Sequence, residues 1–304
     1  MFVYSRGRAR SSGRTRQESK AMHDSLTVDD LDMSHVKGRN TAIWQGREVA
    51  YYNWNHPLVS EERIDDLLQR YAGQYHWNRL IKPGSVCVDV GAHCGDTTVP
   101  MGVFAYDHAN AKPGKVVAVE PNQDVYPVLE VNARINSGWS QFVLSRNAVT
   151  KADGEMVELV DHGNQNCNGG LIDSNFSEAL QAQMANLAQV RTQVEGIRLD
   201  TLLSRSCSQA ELATLSFIKT DCEGYDKEIL RAAKDFLGEY KPYMFVEWFD
   251  LFPAWEDHDD LFSAIDEIGF VPFDPTTLQP LNRKIKLADL LLVHRSRVHA
   301  LSDL

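Results

Sequence analysis

Four apolar, strand-like runs end in carboxylates. Asp89 lies in Val86-Cys87-Val88-Asp89-Val90, and Glu120 follows Val116-Val117-Ala118-Val119. Asp221 and Glu223 close Thr214-Leu215-Ser216-Phe217-Ile218-Lys219-Thr220, and Glu247 closes Tyr243-Met244-Phe245-Val246. An ionised carboxylate offers only acceptor sites, so such groups bind hydroxyls and amines, or remove a proton from a substrate hydroxyl. Asp221 and Glu223, two residues apart, are costly to hold together unless something cationic or proton-bearing lies between them. They are the leading base candidates, with Glu247 third; His93, His162 and His258 rank lower. Asp221, Glu223 and Glu247 are also hard oxygen donors that suit Mg²⁺, which would lower the pKa of a bound hydroxyl. The metal-free version is favoured, because no full ligand set is visible.

The elements that must position these acids follow a strand-turn-helix rhythm. Asp89-Val90-Gly91-Ala92-His93-Cys94-Gly95-Asp96-Thr97-Thr98 is a strand end, a glycine turn and a helix start. In open α/β sheets ligands bind beyond the carboxyl ends of the strands, and glycines let the backbone approach them. The G-x-x-x-G spacing is not the G-x-G-x-x-G of dinucleotide binders, which disfavours a nicotinamide dehydrogenase. Glu120, at the tip of the next strand, is placed to accept from both hydroxyls of a ribose.

Around this frame the pattern predicts two short strands over 41–55 about a Gln45-Gly46 turn, and a helix over 60–80 starting at Ser60. It predicts a helix over 124–137 and a third strand over Phe142–Val149. Residues 155–198 break the rhythm: strands at Met156–Val160 and Val194–Leu199 flank a polar loop over 161–170 and a helix over Asn175–Ala188. His162 and Asn168 in that loop could touch substrate, although such loops are more often plain connections. A helix over 259–268 and two strands, Phe270–Phe273 and Ala288–Val293, end the chain; their loop connection predicts an antiparallel edge. The aromatics Trp44, Tyr51, Tyr52, Trp54, Tyr75 and Trp77 either pack an N-terminal lid onto the core or line a substrate pocket.

Bulk properties narrow the classes. The 304 residues carry a net charge of −11, which argues against a nucleic-acid binder. Within residues 1–20, Arg6, Arg8, Arg10, Arg14, Arg16 and Lys20 against Glu18 give +5, leaving −16 on the remainder. Residues 1–40 read as a disordered polar tail; a transit peptide or a start at Met22 are the other readings, and a nucleic-acid-binding arm the least favoured. Five cysteines without a C-x-x-C pair suit a reducing compartment, and the cytoplasm is expected. No apolar run is long enough for a transmembrane helix, and no membrane partner is expected.

Several segments together resemble the FkbM family of methyltransferases: Asp89-Val90-Gly91-Ala92-x-x-Gly95-Asp96-Thr97-Thr98, Val119-Glu120-Pro121-Asn122, Asn147-Ala148-Val149, Asn168-Gly169-Gly170, Leu199-Asp200-Thr201-Leu202 and Phe217-Ile218-Lys219-Thr220-Asp221-Cys222-Glu223-Gly224. Order and spacing match over roughly residues 80–250. The resemblance implies an α/β, class I methyltransferase (Rossmann-like) fold: a doubly wound, seven-stranded, mostly parallel sheet with an antiparallel closing strand. That domain is expected over 81–304, behind an N-terminal lid or extension over 41–80, although the segments before 80 and after 250 match nothing specific in the family. It implies S-adenosylmethionine as methyl donor and an oxygen of a sugar, polyketide or other small metabolite as acceptor. By the same resemblance Asp89, Gly91 and Gly95 surround the methionine portion, with Ala92, His93, Asp96 and Thr97 counted beside them. Glu120 takes the ribose, Asn147 and Ala148 lie near the adenine, and Asp221 and Glu223 face the methyl-transfer site; Pro121 and Asp221 are also counted among the cofactor-binding residues. His93 and Cys94 depart from the family, which often has Asn and a small or apolar residue there; Cys222 replaces a usual Val. The rival reading is a non-catalytic cofactor-binding or partner-docking protein on the same fold. Nucleic-acid methylation is disfavoured, as no Asn/Asp-Pro-Pro-aromatic motif occurs.

Overall fold

A computed structural model describes residues 31–167, 169–171, 190–248, 258–281 and 289–301, with Ala182 and Asn186 between them. The chain divides into two units, Met1–Leu31 and Asp32–Leu304, and every strand and helix of the described residues lies in the second. The basic segment 1–20, Asn168, the helix expected over Asn175–Ala188 apart from Ala182 and Asn186, and the side chain of His258 lie outside the described residues.

The first two strands, β1 (Val36–Trp44) and β2 (Arg47–Trp54), form an antiparallel hairpin. Gln45 and Gly46 both take positive φ, the conformation that lets a two-residue loop match strand twist. β1 begins at Val36, so the polar tail read over 1–40 ends earlier than its composition suggests. The helical stretch likewise starts late: α1 covers Ile64–Gln69, continues as a π-turn over Arg70–Gln74, and is followed by α2 (Trp77–Leu80). Ser60 does not cap it. Hairpin asparagines capture the preceding backbone instead: the Glu62 N–H donates to Asn53 Oδ1 (2.7 Å) and the Ile64 N–H to Asn40 Oδ1 (2.7 Å).

The core sheet takes β3 (Val86–Val90), β4 (Gly114–Val119), β5 (Ser140–Ser145), β10 (Leu215–Thr220), β11 (Tyr243–Glu247), β12 (Phe270–Phe273) and β13 (Asp289–His294). Its seven strands run in the order β12-β13-β11-β10-β3-β4-β5. Only β13 is antiparallel, and it lies between β11 and β12. The antiparallel strand is thus second from the edge, because the long β12–β13 loop lets the last strand insert rather than add outside. Chain order reverses between β3 and β10, which opens the crevice where α/β sheets take ligands.

Side-chain alternation feeds a separate core on each face. Val86, Val88, Val90, Ile218, Met244, Val246, Leu290 and Leu292 pack with α5 (Leu199–Ser206), α7 (Asp226–Ala232), α8 (Lys234–Tyr240) and α9 (His258–Glu267). Cys87, Val116, Phe217, Phe245, Leu291 and Val293 pack with the hairpin, α1, α2 and α3 (Thr98–Phe104). The stretch 41–80 therefore belongs to one covering layer of the sheet. Its aromatics serve packing: Trp77 stacks on Tyr71 (4.2 Å) beside Phe217, and Trp44 meets Phe104 edge-on.

Helix α4 (Tyr126–Ile135) docks the hairpin through two asparagines. The Tyr52 N–H donates to Asn132 Oδ1 (2.8 Å), and Asn132 Nδ2 returns a bond to the Tyr52 carbonyl (2.9 Å). Just beyond the helix, Asn136 does the same with Ala50 (3.1 and 2.7 Å). A spacing of four along the helix meets a spacing of two along the strand, since each advances the chain by about 6 Å.

Between β5 and β10 an insertion forms a four-stranded sheet, β6-β9-β7-β8, from β6 (Ala148–Val149), β7 (Met156–Asp161), β8 (Gly169–Leu171) and β9 (Arg191–Ile197). A short α6 (Gln209–Leu212) precedes β10, with Ser208 and Glu211 forming a capping box. Among the described residues no helix is long and apolar enough to cross a membrane.

Candidate functional site

A cavity of about 280 Å³ opens beyond the carboxyl ends of β3, β4 and β10, and the insertion sheet covers it. Gly91, His93, Asp96, Glu120, Pro121, Ala148, Asp221 and Glu223, all named from the sequence as site candidates, line it.

Gly91 and Asp221 build its floor. The Asp221 N–H donates to the Val90 carbonyl (3.1 Å), and a Cβ on Gly91 would overlap the Asp221 carbonyl oxygen. Gly91 also takes φ +74°, so the site demands glycine twice over. Glu120 is buried, and each oxygen accepts one backbone N–H: His93 at Oε2 (2.8 Å) and Asn122 at Oε1 (2.7 Å). Each oxygen retains a second acceptor position, which a vicinal diol can fill.

Asp89 stands behind the wall, fully buried. The Thr97 and Thr98 hydroxyls donate to its Oδ2 (2.8 and 2.5 Å). Its other oxygen lies 3.4 Å from Lys219 Nζ, which also donates to the Gly91 carbonyl (2.7 Å) and lies 3.4 Å from Asp221 Oδ2. Burial disfavours the Lys219 ammonium, but Asp221 and Asp89 outweigh it and hold the amine charged well above its usual range. Burial also pushes the Asp89 carboxyl upward, with Lys219 and the threonines working against it. Lys219 is the cation that the neighbouring acids require. It lines the cavity, yet the sequence reading passed over it; a single lysine inside an otherwise apolar strand, two residues before Asp221, was the available signal.

The three base candidates separate in space. Asp221 and Glu223 line the cavity, whereas Glu247 is not among its lining residues. Glu247 Oε2 accepts the Glu223 N–H (3.1 Å). Burial first, then repulsion from Asp221, Asp226 and Glu223, pushes its carboxyl up to about 11, which favours its protonated form beside Asp221. His162 Nδ1 lies 3.5 Å from Glu223 Oε2, and burial lowers the imidazole below its usual range. Asp289, at the start of β13, is raised to about 6 by burial and by Asp221.

Other expected cofactor residues act from outside the lining. Ala92, Gly95 and Thr97 shape the turn, and Asn147 bonds the Glu195 carbonyl of the insertion (3.1 Å). The sequence reading missed Asn122, Cys167, Gly169 and Gly170 as lining residues. Loop 161–167 is tied across the cavity. Asn122 Nδ2 donates to the Asn166 carbonyl (3.0 Å), and Asn166 Nδ2 to Asp124 Oδ2 (2.6 Å). His56 Nε2 donates to the Gln165 carbonyl (2.9 Å). Asp221, Glu223 and Glu247 do not bring ligand atoms together as a metal site would; among the described residues His93, Cys94 and Asp96 do.

The family profile of the methyltransferase FkbM domain matches residues 89–272, more than half of the sequence. The chain belongs to the FkbM methyltransferase family. Its sheet order, with the antiparallel β13 inserted, is the class I methyltransferase topology. The match to this FkbM domain begins at Asp89 and ends inside β12, so it contains every cavity residue named above. No curated protein matches the sequence. Among solved structures, one of methyltransferase FkbM from Methylobacillus flagellatus shares 14% identity, covers 76% of this chain and 58% of its own, and gives a TM-score of 0.39. A 16S rRNA N2 G1207 methyltransferase from T. thermophilus, in complex with AdoMet and guanosine, shares 10% identity, with 88% and 53% coverage and a TM-score of 0.37. Aeropyrum pernix fibrillarin, with S-adenosyl-L-methionine bound, shares 10% identity, with 86% and 85% coverage and a TM-score of 0.37. The chain spans between half and two thirds of the length of the first two.

Proposed function

We propose that this FkbM domain binds S-adenosylmethionine in the cavity and methylates a hydroxyl or carboxyl oxygen of a small molecule. The observation that carries this reading is that one cavity gathers both sets of residues. Gly91, His93 and Glu120, from the turns after β3 and β4, line it together with Asp221 and Glu223, which follow the tip of β10.

S-adenosylmethionine, when bound, supplies a methyl carbon made electrophilic by its sulfonium. The chain's residues supply position and proton removal. Glu120 accepts from the ribose hydroxyls through the lone pairs that His93 and Asn122 leave free. Ala148 and Pro121, both in the lining, would take the cofactor's adenine. Asp221, whose side chain remains 45% exposed, takes the proton of the acceptor hydroxyl. Glu247 holds Asp221 from behind with its own proton, and Lys219 fixes the other side of that carboxylate. The acids around the opening favour neutral or cationic acceptors over polyanions, which supports a small metabolite, sugar or natural product rather than a nucleic acid. Five free cysteines fit a cytoplasmic location.

Calorimetric titration with S-adenosylmethionine, followed by turnover assays on a panel of hydroxylated metabolites, tests the reading. Glu120→Ala should weaken cofactor binding at least about tenfold, from the loss of charge-assisted bonds of roughly 1.5–3 kcal/mol. Asp221→Asn should retain binding and lose turnover by about 10²-fold or more. Tight binding with no turnover on any acceptor would instead support a non-catalytic cofactor-binding protein.

A further inference from the structure

We propose that His93, Cys94 and Asp96 form a site for a divalent transition metal, zinc by its donor set, with one coordination position open toward the cavity. The three side chains offer one nitrogen, one sulfur and one oxygen, all within 4.8 Å of one another. Zinc takes this mixture, and its reactive sites carry three protein ligands and one open position. With metal–sulfur and metal–oxygen bonds of about 2.3 and 2.0 Å, a tetrahedral centre sets sulfur and oxygen about 3.5 Å apart. Cys94 Sγ and Asp96 Oδ1 are 3.8 Å apart, so a few tenths of an ångström of adjustment closes the pair around an ion.

The surrounding bonds are those of a ligand set. His93 Nε2 donates to the Cys167 carbonyl (3.1 Å), which fixes the ring and leaves Nδ1 as the nitrogen for a metal. Metal-binding histidines characteristically give their second ring N–H to such a carbonyl. The Tyr51 hydroxyl lies 3.0 Å from Cys94 Sγ, where it can donate to a thiolate. Trp54 packs edge-on against the His93 ring (5.5 Å), and Asn132 Nδ2 holds the Cys94 carbonyl (2.8 Å). The hairpin and α4 thus brace the turn from behind. In front, His93 and Asp96 line the cavity, which supplies both an entry path and the direction of the open position.

Metal uptake is read without any methyl donor, so its outcome is independent of the methyl-transfer reading. The reduced, chelator-treated full chain is titrated with Co²⁺ and followed by absorbance. We expect one equivalent to bind with a near-ultraviolet thiolate-to-cobalt charge-transfer band, displaced by Zn²⁺. Cys94→Ser should abolish the band, and Asp96→Asn and His93→Gln should each weaken binding more than about tenfold. Tyr51→Phe should shift the band while keeping one equivalent, and Cys207→Ser, remote from the turn, should change nothing. The site is disproved if the folded wild type shows no such band, or if the band survives Cys94→Ser. Should Cys94→Ser fail to fold, unchanged Co²⁺ affinity in Asp96→Asn overturns the proposal equally well.

Discussion

Gly91 lies so close to the Asp221 carbonyl that the space of its missing Cβ is already occupied. The cofactor-side turn and the acid-bearing turn are therefore packed backbone to backbone. Gly91→Ala would add a clash with a main-chain atom to the strain of a positive φ, at a cost on the order of 3–4 kcal/mol. Chemical denaturation should show that loss, and any folded fraction should bind cofactor poorly.

Glu247 is expected to work as a proton-bearing neighbour and not as a base. Glu247→Gln keeps a neutral donor for Asp221 and an oxygen for the Glu223 N–H, so it should retain activity within about tenfold. Glu247→Ala removes both and should lower kcat by about 10²-fold or more while leaving S-adenosylmethionine affinity nearly unchanged. Equal losses in both variants would show that the carboxylate itself is required.

Lys219 sits between two acids, the fully buried Asp89 and the partly exposed Asp221. Lys219→Met strands Asp89 as an unpaired buried charge and should cost about 3–5 kcal/mol. Adding Asp89→Asn should recover a large part of that stability. Urea midpoints of the single and double variants form the cycle that decides it.

Asn132 serves three backbone groups, two on Tyr52 and one on Cys94. Asn132→Ala leaves buried main-chain partners unpaired and should lower stability by roughly 2–3 kcal/mol. Hydrogen exchange should then show the Tyr52 amide losing protection before those of β3.

The acid limb of stability should contain Glu211. Lys115 and the Ser208 backbone N–H hold its carboxyl down to about 2, below the roughly 4.3 of an unfolded chain. A depressed folded value stabilises the fold fully above the unfolded pKa, and that contribution fades as pH falls toward 2. Glu211→Gln should flatten the stability profile between about pH 4.5 and 2 and leave the remainder parallel.

Much of this architecture is written in short-range pattern. Acids at the ends of apolar runs announced one edge of one sheet, because a parallel sheet has no other place for them. The glycine turns and the Gln45-Gly46 hairpin could be read from backbone requirements alone. Lys219 could not, since a buried lysine looks like a strand residue until Asp89, 130 positions earlier, is seen beside it. Asn132 and Asn136 were equally silent: their partners lie some 80 residues upstream. Ser60 misled for the same reason. Its helix-starting chemistry lost to Asn40 and Asn53, which accept the Ile64 and Glu62 N–H groups and so delay the helix to Ile64.

The asparagine pair that docks the hairpin recognises only main-chain atoms of Ala50 and Tyr52. It reads register and is blind to residue identity. Those bonds therefore leave the half-buried Tyr52 side chain unconstrained, while Val49, Tyr51 and Trp54 stay fixed by their burial in the core. A lineage could retune the surface beside the cavity, one substitution at a time, on a mount that never has to be rebuilt.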